Sequence, residues 1–129
     1  MVAVAGVRVR GCYALARMAL LPPIAVGLGL RPEIAGDLLA QPQAVDFVEV
    51  VAENCLAQAA IRREAVALSE RWAVLPHGVK LSLGSADGVD IERARALGRL
   101  ARELRAPLVS EHVAITRGGR RSIGHLTRS

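Results

Sequence analysis

The stretch VDFVEVVAEN (45–54) decides the fold. Its first seven residues are rich in β-branched side chains and almost continuously apolar, the pattern of a strand buried in a parallel sheet. AEN then places an acid and an amide where that strand ends. Upstream, IAVGLGL (24–30) is a short apolar run punctuated by Gly27 and Gly29, which suits another buried strand ending in a tight turn. RPEIAGDLLAQ (31–41) follows, with Pro32 at a helix start and Ile34, Leu38 and Leu39 on one face. Downstream, LAQAAIRREAVALSERW (56–72) sets Ile61, Ala65, Leu68 and Trp72 at helical spacing, with Arg62, Arg63, Glu64 and Glu70 on the polar faces. AVLPHGVKLSLGS (73–85) is a third strand running into a Gly/Ser loop. Asp90 caps a helix over 91–105 with a stripe of Leu97, Leu100, Ala101 and Leu104, and PLVSEHVAI (107–115) is a fourth strand. The remainder, TRGGRRSIGHLTRS (116–129), shows no convincing element.

Strands alternating with helices predict an α/β fold with a parallel sheet, either open or closed into a barrel. The first strand is followed by no GxGxxG, and the chain holds no GxxxxGK[ST], so nucleotide-binding versions of the open sheet lose support.

Composition narrows the function classes. The chain has 129 residues, 52% of them hydrophobic, enough to bury a real core. A single Trp, Tyr and Phe (Trp72, Tyr13 and Phe47) leave that core aliphatic. The net charge is +5, and every basic residue except Lys80 is arginine. These arginines lie along the helices or crowd the ends, without aromatics among them to stack on bases, so a solvated basic surface is favoured over a nucleic-acid site. Two cysteines, Cys12 and Cys55, make neither a disulfide framework nor a CxxC clip and read as small buried residues in a reducing compartment. The first 21 residues are interrupted by Arg8, Arg10 and Arg17, poor for a signal-peptide core and too short for a membrane span. They read as an N-terminal extension, with Met18 an alternative initiator. The expectation is a cytoplasmic protein without a membrane partner.

In parallel α/β folds functional groups sit at the carboxyl ends of the strands. Glu53 and Asn54 follow the second strand, His77 closes the third, and Glu111 and His112 interrupt the fourth. Carboxylate and imidazole together suit first-row divalent metals. Each residue also has a plainer reading. Glu53 alone can be a helix N-terminal acid, and His77 a turn residue after Pro76. Glu111 with His112 is harder to dismiss, because burying both without partners is costly. Asp46 and Glu49 either line the interior or pair with arginines. Ser82, Gly84 and Ser85 form a compact loop, suited to an anion or to a plain turn, and His125 in the tail reads as having no role.

Taken together, VGLGLRPE (26–33), VDFVEVVAEN (45–54), LPHGVKLSLGS (75–85) and LVSEHVA (108–114) closely resemble the multinuclear non-haem iron-dependent oxidase family of methanobactin-biosynthesis type, long catalogued as an uncharacterised TIM-barrel family. The resemblance runs from about Pro22 to His125. It implies a (β/α)8 barrel with two or three iron ions at its carboxyl rim, using dioxygen to oxidise cysteine side chains of ribosomally made peptides. It also implies a separate protein that helps bind the peptide. By motif position it offers Glu53, His77 and Glu111 as iron ligands, with Asn54 and His112 as further ligands or as groups that orient them. A complete barrel needs ~250 residues, so these four strands resemble its N-terminal half. The expected organisation is an extension over 1–21, a partial barrel over 22–115 and an irregular truncated tail over 116–129. Such a half leaves an incomplete metal site and open strand edges. The alternative is a non-catalytic half-barrel acting by self-association, as a homodimer, or by binding another protein.

Overall fold

A computed structural model describes Leu21, residues 24–118 and residues 121–127, with side chains through Thr116. The expectations for Cys12, for Met18 and for nearly all of 1–21 lie outside the described residues. So does the His125 side chain.

Each apolar run of the sequence yields a strand, though a shorter one. The strands are β1 (Gly27–Gly29), β2 (Phe47–Val51), β3 (Ala73–Gly78) and β4 (Ser110–Glu111). They form one parallel sheet in the order β1-β2-β3-β4. Every strand thus lies beside its sequence neighbour. Doubly wound sheets reverse their order at a switch point, whereas this succession is that of neighbouring staves in a barrel wall.

The connections are helices α1 (Pro32–Ala40), α2 (Ala52–Ala57), α3 (Ala59–Leu68) and α4 (Ile91–Glu103), with a 3-10 turn at Pro42–Ala44 after α1. Pro32 begins α1, as its fixed φ favours. Leu38 is buried, but Leu39 is 46% exposed, so the expected three-residue face narrows mainly to Leu38 and the half-buried Ile34. The long helix anticipated over 56–72 is two helices broken at Gln58, whose backbone is extended. The first of them starts at Ala52 directly after β2 and takes in the AEN triplet. Trp72 lies beyond α3, buried, with its indole N–H donating to the Pro42 carbonyl at 2.9 Å.

Helix α4 matches its sequence signals closely. Asp90 Oδ1 accepts from the amides of Glu92 and Arg93, and Leu97, Leu100 and Ala101 are buried on the inward stripe. Leu104, just past the helix, has no exposed surface. The helix stops because Arg105 adopts φ 50°, with its amide bonded to Arg102 O and that of Ala106 to Ala101 O. This is a Schellman ending built on a non-glycine residue.

Alternation along the strands separates two faces. Val48, Val50, Val74 and Pro76 are buried, forming a core with Cys55, Ala65, Leu97, Leu100 and Leu104. The opposite face carries Phe47, Glu49, Ala73 and His77, half-buried, Leu75, buried, and Val51, exposed. VDFVEVV, almost continuously apolar in sequence, alternates in burial because the helices pack against the face that carries Val48 and Val50. Gly27 sits under Phe47, and a Cβ there would overlap the ring.

The fourth strand and the tail differ most from expectation. Beyond Glu111 the chain leaves the sheet, and β5 (Ala114–Gly118) pairs antiparallel with β6 (Arg121–Thr127). The segment expected to be one strand over 107–115 is therefore divided, and the tail expected to be irregular is a hairpin arm. The loop after β3 holds this hairpin in place. Buried Ser82, at φ 59°, accepts the Thr116 amide on its hydroxyl at 2.9 Å, and the Gly84 amide donates to Ala114 O at 3.0 Å. A Cβ on Gly84 would come within 3.3 Å of the Ala114 backbone, which is why glycine suits that approach. The Ser82–Ser85 loop thus anchors protein backbone.

Arginines on the described surface pair with acids: Arg62–Glu103, Arg93–Asp90, Arg95–Glu92 and Arg105–Glu70. These are solvated surface pairs, each contributing roughly 0–1 kcal/mol. No helix among the described residues is long and apolar enough to cross a membrane.

Candidate metal centre

The polar groups singled out in the sequence converge at the carboxyl ends of β2, β3 and β4. Register explains why. Val51 lies opposite His77, His77 opposite Ser110, and Gly78 opposite Glu111. Three strands therefore end at one level, and whatever follows them shares a rim.

Glu53 reaches this rim because α2 begins with no linker, placing it in the first turn directly above β2. Its Oε1 accepts the Val79 amide at 3.0 Å. That bond ties β2 to the loop after β3, a job other than the helix-end acid that an isolated reading allowed. Its Oε2 is buried without a hydrogen-bond partner.

Glu111 is 8% exposed and lies over Gly78, where a Cβ would overlap the carboxylate. Its Oε1 accepts the amide of His112 at 3.0 Å, and its Oε2 is also buried and unpartnered. Burial pushes its carboxyl up to about 7, and the charge of Glu53 pushes the same way; the His112 and Leu81 amides pull it down. Glu53 is therefore close enough for its charge to disfavour the ionisation of Glu111.

His77 belongs to a second group on the open face. Its Nδ1 lies 2.9 Å from Ser110 Oγ and 3.9 Å from Glu49 Oε1, and Ser110 Oγ donates to Glu49 Oε2 at 3.3 Å. The His112 ring meets the His77 ring edge-on, with centroids 4.6 Å apart. His112 is itself exposed, past the end of β4, so only Glu111 of the SEH pair is buried. Asn54 is exposed on α2.

The expected ligand set thus separates into Glu53 with Glu111, and His77 with His112, while Asn54 stays at the surface. Among the described residues no three His, Cys, Asp or Glu side chains form a group that could hold a metal ion. The donor chemistry nonetheless fits one. Two buried carboxylate oxygens without a hydrogen-bond partner cost about 1–3 kcal/mol each, and a divalent cation with oxygen and imidazole ligands answers both. Glu49 and Ser110 are the members that sequence reasoning left unplaced or missed. The signal for Glu49 was its position, two residues before Val51 on one face of an otherwise apolar strand. Ser110 carried no such signal, because its role depends on register with His77. Asp46 is outside the group and accepts the Val26 amide at 2.8 Å. Cys55 is buried in the core, its thiol pKa raised chiefly by burial.

The sequence model of a family described as RiPP precursor modification enzyme MbnB/TglH/ChrH matches residues 25–128. Similar proteins include a UPF0276 protein of Streptomyces avermitilis, 41% identical over 117 residues, which covers 88% of this chain and 22% of that protein. A UPF0276 protein of Rhizorhabdus wittichii is 44% identical over 94 residues, 70% of this chain and 34% of its own length. One from Caulobacter vibrioides is 40% identical over 101 residues, 77% of this chain and 36% of its own. The chain spans about a third or less of the length of these relatives.

Proposed function

The chain belongs to the MbnB/TglH/ChrH family of enzymes that modify ribosomally made peptide precursors, and on that premise we propose that its rim contributes to an iron centre acting on a peptide substrate. The observation that carries this reading is the pair of buried, unpartnered carboxylate oxygens on Glu53 and Glu111. In this reading β1 to β4 are consecutive staves of a (β/α)8 barrel, and the open face is part of its interior. Glu53 with Glu111, and His77 apart from them, would each contribute donors to iron, with Asn54 and His112 as further ligands or groups that orient them. The remaining donors come from outside the described residues.

Bound iron would supply the redox chemistry with dioxygen that oxidises a peptide cysteine. The residues of this chain bind and orient. The Val79 amide holds one oxygen of Glu53 and the His112 amide holds one oxygen of Glu111, so each carboxylate keeps its second oxygen to offer. Gly78 leaves room for Glu111 to lie flat across β3. Their two negative charges are compensated by a cation more strongly in this buried setting than in water. A separate peptide-binding protein completes the proposed assembly.

Anaerobic purification with added ferrous iron, followed by elemental analysis, tests the site. Iron should fall markedly in His77→Ala and Glu111→Ala; iron unchanged in both would overturn the assignment.

A second reading is favoured by one observation. Ile24, Val26 and Leu28 at the β1 edge are 85%, 60% and 46% exposed, an apolar strip beside a strand that, among the described residues, is paired on one side only. Such an edge suits a second copy or another chain. Sedimentation equilibrium of the chain, compared with Ile24→Glu, tests it. A dimer dissociated by the substitution supports self-association, and a monomer refutes it.

A further inference from the structure

We propose that Glu49 and Ser110 are positioning residues that fix the neutral His77 ring in the tautomer carrying its proton on Nδ1, so that Nε2 offers the lone pair. The proposal rests on the metal-centre reading for its purpose, and on geometry alone for its content.

The protons and lone pairs of the three groups decide the tautomer. Ser110 has one hydroxyl proton and two lone pairs, and an ionised Glu49 can only accept. Ser110 Oγ stands 3.3 Å from Glu49 Oε2 and 2.9 Å from His77 Nδ1. The single proton goes to one neighbour. Directed to Glu49 it makes a charge-assisted hydrogen bond, roughly twice as strong as a neutral one. The hydroxyl is then left with lone pairs only, and the contact with His77 survives if Nδ1–H donates. The opposite arrangement turns the proton toward Nδ1 and leaves the carboxylate facing an oxygen lone pair. Glu49 Oε1, 3.9 Å from Nδ1, adds a negative charge that favours a proton on the same nitrogen. All three contacts select Nδ1–H.

The arrangement is held by the sheet. Glu49, His77 and Ser110 come from three adjacent strands, and register places Ser110 opposite His77. All three are at least half-buried, which limits competition from water. A ligating histidine commonly has its second nitrogen fixed this way by a carboxylate or an oxygen acceptor, which sets its tautomer and raises its basicity. Here the serine relays the carboxylate to the ring.

Long-range proton–nitrogen NMR of the iron-free, histidine-labelled full chain reads the tautomer, with the His77 signals identified by their loss in His77→Ala. The wild type should show Nδ1 protonated and Nε2 bare. Ser110→Ala should move the ring toward the Nε2–H form that free imidazole prefers in water, and Ser110→Thr, which restores the hydroxyl, should return it. Glu49→Gln, which keeps shape and removes charge, should give a mixture and serves as the decisive variant if Ser110→Ala does not fold. An Nε2–H ring in the wild type, or a ring unchanged by both Ser110→Ala and Glu49→Gln, overturns the proposal. Ferrous iron uptake by the same samples tests the metal reading separately. The expected tautomers in a chain that takes up no iron would sink that reading and uphold the relay.

Discussion

The helix-covered face of the β2–β3 pair and its carboxyl rim are built to opposite standards. Toward the helices, Val48, Val74, Leu100 and Leu104 are fully buried and fully apolar, and local propensity, patterning and packing agree there. At the carboxyl rim, a few residues away, Glu53 and Glu111 are held with one oxygen satisfied and one orphaned. A core of the first kind stabilises; a rim of the second kind costs stability in the metal-free chain. Violations of this sort concentrate where a protein binds something.

The contrast can be broken most severely in the core. Leu100→Ala should destabilise the chain by roughly 2–5 kcal/mol, measured by urea unfolding, while iron bound per folded chain stays the same. A loss of iron at full folding would show that core and rim are coupled.

Glu111→Gln tests the rim with the opposite sign. The Glu111 pKa is raised from 4.5 to about 7 in the folded state. The unfolded chain therefore binds fewer protons than the native one between those values, so stability is fully present below pH 4.5 and lost as pH rises through about 7. Removing the ionisable group should abolish that slope and stabilise the iron-free chain at pH 8 by up to about 3 kcal/mol, while weakening iron binding. Thermal melts across pH 4–8 check it. Equal slopes in the two proteins would place Glu111 in water.

Gly78→Ala sharpens the comparison by disturbing the junction of core and rim. The new methyl must displace the Glu111 carboxylate and lies 3.3 Å from Leu97 Cδ2. A loss of about 1–2 kcal/mol is expected, with the pH slope reduced as the carboxylate moves toward solvent; an unchanged slope would mean that it stays put. Least affected should be Asp90→Ala, which removes the α4 cap for about 1 kcal/mol and leaves the pH slope untouched.

Legibility followed the range of the interactions. The cap at Asp90 and the stripe of α4 are contained within fifteen residues, and they were read correctly. Glu53, His77 and Glu111 were legible as a rim because strand ends carry function in this architecture. Ser110 was not, since its importance comes from lying opposite His77, 33 residues earlier. The β5–β6 hairpin was hidden for another reason. Its arms are polar and alternate weakly, and the Gly118-Gly119 pair, a turn signal in itself, is set among arginines that suggested a loose tail.

By itself, then, the sequence determined the α/β alternation, the parallel strands and the family, because apolar period, caps and motif strings are properties of short contiguous segments. Only tertiary structure decided how the polar residues group: Glu53 beside Glu111 at the rim, His77 with Ser110 and Glu49 across three strands. Register sets those partnerships, and register is fixed by how the whole sheet packs against its helices.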